Sequence, residues 1–248
     1  VAWTFALPPE TKLLSPHLSY QKSSLRKSAG FFCLTRNGYN HYKQYAKSVF
    51  VPWYVDIELF NIPDAKIYER KTPFFLATGK TERDYITLIE SACHVKAEIR
   101  IIAPLNQKPK ELPKNVTWVN SSSNPPDQAI DYPTLRKWYN QCIAVCIPLS
   151  GDADDTCGYT NMLEAMAMRK PVLMTKSGCL HINPETGGFG KLIPPKSSSE
   201  WSSSMNELIS NPNLAKFYGE KGRRLVETDF SKEKFDKSIL SFLKSLSI

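Results

Sequence analysis

No apolar run in this chain approaches the roughly 18–20 residues that a membrane-spanning helix needs, so no such helix is predicted within it. The opening residues Val1 to Phe5 have no basic stretch ahead of their apolar side chains, and no secretory signal is read there. The chain starts without Met, and a piece of a longer protein is expected. Its six cysteines form no C-x-x-C pair, and no Cys/His grouping has zinc spacing. No metal site is predicted. Scattered, unpaired cysteines suit a reducing compartment, which points to the cytoplasm. No arginine-rich run or nucleic-acid motif accompanies the net charge of +8, so the expected anionic partner is not a nucleic acid. Basic patches such as Lys22 to Lys27 leave peripheral membrane contact open. No G-x-G-x-x-G follows the first strong strand signal, against a nicotinamide-dinucleotide enzyme. His41, His94 and His181 have no nucleophile or metal-spaced partner nearby in sequence.

What is present is an ordinary globular composition: 248 residues, 42% hydrophobic, with mean hydropathy −0.34. From Pro73 onward, strand and helix signals alternate. Strands are predicted at Phe74–Thr78, Ile99–Ala103, Val116–Val119, Ile143–Ile147, Val172–Thr175 and Lys191–Ile193. Helices are predicted from Tyr85, over about 133–141 with Leu135 and Trp138 on one face, and around Glu164. Cys142 and Cys146, four apart in an apolar run, are expected on one side of a strand. Strands apolar on both faces, alternating with helices, predict an α/β fold: a Rossmann-like doubly wound parallel sheet. Such sheets bind ligands beyond the carboxyl ends of their strands. Three helices are predicted in the tail: one with the stripe Trp201/Met205/Leu208/Ile209, a second holding Phe217 and Leu225, and a third holding Phe235, Ile239, Phe242 and Leu243. The first 60 or so residues offer one strand, Phe31–Thr35, and one helix near Asn40–Ala46, too little for a core of their own.

The segment Gly158 to Thr175 reads as a glycine turn, one helix, a proline break and a short apolar strand. Free N–H groups at a helix start bind anions, and glycine admits the phosphate. A simple N-cap by Thr160 or Asn161 explains the same residues. Glu164 lies mid-helix among Leu163, Ala165, Met166 and Ala167, where a carboxylate without partners is costly. A carboxylate can accept from two adjacent sugar hydroxyls. The alternatives are a solvent face or a pair with Arg169.

Three stretches carry a family resemblance. Val51 to Phe60 is similar to an interdomain segment I-P-x-G-V-D-x-x-x-F. Ala77 to Ala92 is similar to the first strand, loop and helix of a donor-binding domain. Gly158 to Thr175 is similar to E-G-F-G-x-x-x-x-E-A-M-A-x-G-x-P-V. In these the chain resembles retaining glycosyltransferases of the GT-B architecture, glycosyltransferase family four (glycosyl transferases group 1). The resemblance implies residues 1–62 as the end of an N-terminal acceptor domain plus linker. It implies 63–228 as the nucleotide-sugar (donor) domain and 229–248 as a C-terminal helix. The implied reaction moves a sugar from a nucleotide-sugar donor to a glycan, lipid-linked or other acceptor, without a metal or other cofactor.

By the same resemblance, Lys80 and Arg83 match the cations that grip the donor's pyrophosphate. That role is physically reasonable because a departing nucleoside diphosphate gains negative charge. Gly79, Gly158, Tyr159, Thr160 and Asn161 match positions around the phosphates, and Glu164 the carboxylate that binds ribose hydroxyls. The pattern breaks at Thr156, where the family has a Glu eight positions before the second. Asp155, or Asp154, is the candidate substitute. That break keeps a second reading open, a non-catalytic nucleotide-sugar binding or scaffolding protein of the same fold.

Overall fold

A computed structural model describes residues 1–4, 22–61, 72–121, 130–150, 156–176 and 182–246. Its larger sheet has six parallel strands: β4 (Phe74–Thr78), β5 (Glu98–Ala103), β6 (Val116–Asn120), β7 (Val145–Ile147), β8 (Val172–Thr175) and β9 (Gly190–Ile193). Their spatial order is β6-β5-β4-β7-β8-β9. The chain lays down β4, β5 and β6 outward in one direction, then returns to pair β7 on the other side of β4. This is the doubly wound α/β arrangement expected from the alternating signals.

The period of two along each strand divides the core. Phe74, Leu76, Val145, Ile147, Val172 and Met174 face one layer, while Phe75, Ala77, Ile99, Ile101, Cys146 and Leu173 face the other. The first layer holds α3 (Tyr132–Gln141), α4 (Tyr159–Ala167) and α6 (Pro212–Asp229). The second holds α2 (Tyr85–Ser91) and α5 (Ser198–Ser210). Both faces are covered at the sheet's centre, so β4, β7 and β8 read as continuous apolar runs. Cys142 and Cys146 do not share a side. Cys142 caps the end of α3 before the strand begins and joins the first layer, whereas Cys146 lies in β7 and joins the second.

The N-terminal portion is more than one strand and one helix. β1 (Ala2–Thr4), β2 (Phe31–Cys33) and β3 (Ser48–Phe50) form a second parallel sheet, ordered β1-β2-β3. All three strands have three residues each, and β1 and β3 carry too little periodicity to be read locally. α1 runs over Arg36–Tyr42, four residues earlier than expected, because the Thr35 side chain accepts from Gly38 N at 2.9 Å and fixes its start. Phe31 and Cys33 pack on Tyr42 of α1. Phe32, on the opposite face, meets Phe242 of α7 (Lys232–Ser245) with ring centroids 5.0 Å apart. The last helix of the chain therefore completes the core of its first strands.

α4, which carries Glu164, is held from behind. A Cβ on Gly219 of α6 would lie 2.1 Å from the Arg169 carbonyl oxygen just past the end of α4, so only glycine permits this approach. Arg223, 6% exposed, donates through Nη1 to the Ala167 carbonyl at 2.8 Å and through Nε to Glu227 at 2.6 Å. A cation there satisfies a terminal carbonyl and complements the negative helix end. In an exposed helix, Gly→Ala stabilises by up to about 1 kcal/mol. Gly219→Ala is expected to do the reverse, destabilising by about 2 kcal/mol or more through the backbone clash. The midpoint of urea denaturation measures the sign.

Candidate functional site

The direction of strand order reverses between β4 and β7. Loops leaving their carboxyl ends diverge to opposite faces and leave a crevice there, the usual ligand site of such sheets. β4 ends at Thr78, and Gly79 follows with φ +142°. A Cβ on Gly79 would lie 2.4–2.6 Å from the Arg83 guanidinium, which rests on this glycine. Arg83 is fixed there by three bonds. Nε donates to the Thr78 carbonyl at 3.4 Å, Nη1 to the Thr81 carbonyl at 2.7 Å, and Nη2 to Asn161 Oδ1 at 2.8 Å. A guanidinium has five N–H groups, so two remain available. Among the described residues no carboxylate pairs with Arg83.

Across the crevice, β7 leads to Gly158, with φ +81°. A Cβ at Gly158 would sit 2.5 Å from Ile147 Cγ2 and 3.2 Å from Met174 Cε, so the turn beneath α4 needs glycine. α4 starts without a side-chain cap. Tyr159 N donates to the Thr156 carbonyl at 3.0 Å, but the N–H groups of Thr160 and Asn161 have no acceptor among the described residues. Neither side chain caps the helix. Asn161 is drawn away instead: its Oδ1 accepts from Arg83, and its Nδ2 donates to Thr78 Oγ1 at 2.6 Å. Free N–H groups and an unpaired guanidinium thus share one spot, where positive potential has no counter-charge from the described protein.

One turn on, Glu164 is half-buried. Its Oε2 accepts from the hydroxyl of Tyr139, a fully buried side chain on α3, at 2.6 Å. Burial raises the Glu164 carboxyl to about 7, and the Tyr139 bond offsets part of that rise. Glu164 does not pair with Arg169, whose Nε lies 3.6 Å from Glu220. Oε1 of Glu164 has no hydrogen-bond partner among the described residues.

The structure therefore gathers Gly79, Arg83, Gly158, Thr160, Asn161 and Glu164 at the crevice, whereas the Tyr159 side chain is buried in the core against Phe230. Lys80 is exposed on the same loop. Its carbonyl accepts from Gln107 Nε2 at 2.6 Å, and its ammonium has no partner among the described residues. Thr156 is half-buried beside the start of α4. Asp152, Asp154, Asp155 and His181 lie outside the described residues. No group of three or more His, Cys, Asp or Glu side chains among the described residues could hold a metal. Sequence reasoning missed Thr78 and Tyr139. Tyr139 carried a faint signal, since it adjoins Leu135 and Trp138 in the same helix. In the event it is the one buried residue of α3.

Residues 79–211, more than half of the chain, match the family described as glycosyl transferases group 1. No curated protein sequence matches. Among solved structures, sucrose-phosphate synthase from Thermosynechococcus elongatus is similar with a TM-score of 0.71 at 16% identity, over 95% of this chain and 64% of that one. A glycosyltransferase from Rickettsia africae gives a TM-score of 0.72 at 16% identity, over 98% and 68%. The HepE protein of Anabaena, solved in complex with UDP, gives 0.69 at 14% identity, over 94% and 70%. At these identities the likeness is one of fold, the GT-B fold. The chain spans about two thirds of the length of these relatives.

A carboxyl raised above its unfolded value makes the folded state bind a proton the unfolded state has released. Stability is then lost as pH rises from about 4.5, the ordinary Glu value, to about 7, and is flat above. Glu164→Gln should remove this component. The melting temperature of the ligand-free variant, relative to the native chain, should rise between pH 4.5 and 7. A constant difference across that range would show that Glu164 titrates normally.

Proposed function

The chain belongs to the glycosyl transferases group 1 family, and on that premise we propose that it carries the nucleotide-sugar site of a retaining glycosyltransferase. The observation that carries this reading is the positive spot at the β4–β7 crevice, which no carboxylate among the described residues compensates, with a half-buried carboxylate one helical turn away. The spacing suits a ligand with phosphates at one end and vicinal hydroxyls next to them.

The donor's pyrophosphate accepts from the N–H groups of Thr160 and Asn161 and from the two free N–H positions of Arg83. Lys80 closes over the same group. When the bond from the sugar's anomeric carbon to the phosphate oxygen breaks, the departing nucleoside diphosphate takes the electron pair. Fixed cations and helix N–H groups stabilise that charge without reorganising, which lowers the barrier. The acceptor hydroxyl bonds to the anomeric carbon and gives its proton to the departing phosphate oxygen. Glu164 accepts from the ribose hydroxyls. Residues 63–228 form the donor domain on this reading, with 1–62 the end of an acceptor domain for a glycan or lipid-linked acceptor. No metal is required.

One observation favours a second reading. Thr156 stands where the family places the carboxylate that faces the donor sugar, so the chain binds a nucleotide sugar without transferring it. Under either reading, calorimetric titration with nucleoside diphosphates and their sugars detects binding. Arg83→Ala and Glu164→Ala should each weaken it by about tenfold or more, as expected for lost bonds to charged groups. A chain that binds none of them removes both readings. Binding without release of nucleoside diphosphate in the presence of acceptors selects the second.

A further inference from the structure

Tyr139 lies on α3, outside the loops that line the crevice, yet its hydroxyl ends in the site. The side chain is fully buried, and the hydroxyl donates to Glu164 Oε2 at 2.6 Å. Asn161 and Thr78 bear on the same hydroxyl. Asn161 in turn holds Arg83 through Oδ1 at 2.8 Å and donates to Thr78 Oγ1 at 2.6 Å. One connected polar cluster therefore runs from the guanidinium at the phosphate end to the carboxylate at the ribose end, inside an otherwise apolar layer. Resting on the donor-site reading, we propose that Tyr139 is a positioning residue for nucleotide binding, holding Glu164 so that its free oxygen meets the ribose hydroxyls.

The physical case rests on geometry. α4 gives Glu164 a long side chain among Leu163, Ala165 and Met166, and nothing on α4 itself is bonded to its carboxylate. Without Tyr139 the carboxylate would keep no hydrogen bond among the described residues and would reach for water or take up a proton. With Oε2 engaged, rotation of the carboxylate is fixed and Oε1 remains open. A polar group preorganised in this way costs less to order when ligand binds. Tyr139 is the titratable side chain that bears directly on Glu164 among the described residues, and Arg83 stands beyond Asn161. The same bond favours the ionised carboxylate, the form that accepts from two hydroxyls.

The test is Tyr139→Phe, which removes one oxygen and keeps the ring that fills the core. A melting curve checks that the variant is folded. Calorimetry at pH 7.5 with UDP, GDP and ADP, and with their 2′,3′-dideoxy counterparts, then separates positioning from bulk structure. Tyr139→Phe should weaken the ribose forms about tenfold and leave the dideoxy forms within about twofold. With nucleotide sugars, whose phosphates do not titrate between pH 6 and 9, the midpoint of the affinity–pH profile should move upward. Equal loss for ribose and dideoxy forms, or an unchanged affinity and midpoint, overturns the proposal while leaving the donor site standing. Failure of the native chain to bind any of these nucleotides overturns the donor-site reading and this role together.

Discussion

Pairing of β4 with β7 is the constraint on which the rest depends. The register is short, Leu76 with Val145 and Ala77 with Cys146. It nevertheless sets two elements far apart in sequence side by side at the point where strand order reverses. The loop after β4 brings a cation and the loop after β7 a helix start. Neither loop alone makes a site. Their meeting is sealed by the Arg83–Asn161 bond, which joins residues 78 positions apart.

Burial decides how charge is used around that meeting. Arg223 and Glu164 both belong to the layer containing α3, α4 and α6, and the helix dipole treats them differently. Arg223 sits at the negative end of α4, and its Nη1 is satisfied by the Ala167 and Phe60 carbonyls. Glu164 sits mid-helix with one described bond, from Tyr139. A buried cation bonded to a helix-end carbonyl and to a carboxylate holds structure together, while a carboxylate with one described bond at the edge of a crevice is left with capacity for a ligand. The same layer thus anchors the far end of α4 and leaves its near end open.

Legibility in the sequence followed locality. The central strands β4, β7 and β8 were visible because two buried faces impose a continuous apolar run. Gly158 and Glu164 were visible because a glycine turn and a carboxylate among small apolar residues are informative without their surroundings. β1 and β3 were not visible, since three residues carry no period, and their core is completed by Phe242, some 200 residues later in the chain. Tyr139 was not visible as a polar partner, because a tyrosine in an amphipathic helix is ordinarily core, and it is core here as well. Its hydroxyl gains a polar setting from Glu164 and Asn161 of α4 and from Thr78 at the end of β4.

By itself, the sequence determined the fold class, the family, and the two loops that could hold an anion, because periodicity, glycine and charge act over a few neighbouring residues. Tertiary structure decided which way those loops face. It turned Asn161 from a possible helix cap into a bridge to Arg83, and left the N–H groups of Thr160 and Asn161 without an acceptor among the described residues. It also moved Glu164 off a pairing with Arg169 and onto Tyr139. These outcomes depend on distances between segments that only strand pairing and helix packing establish, so no local pattern could specify them.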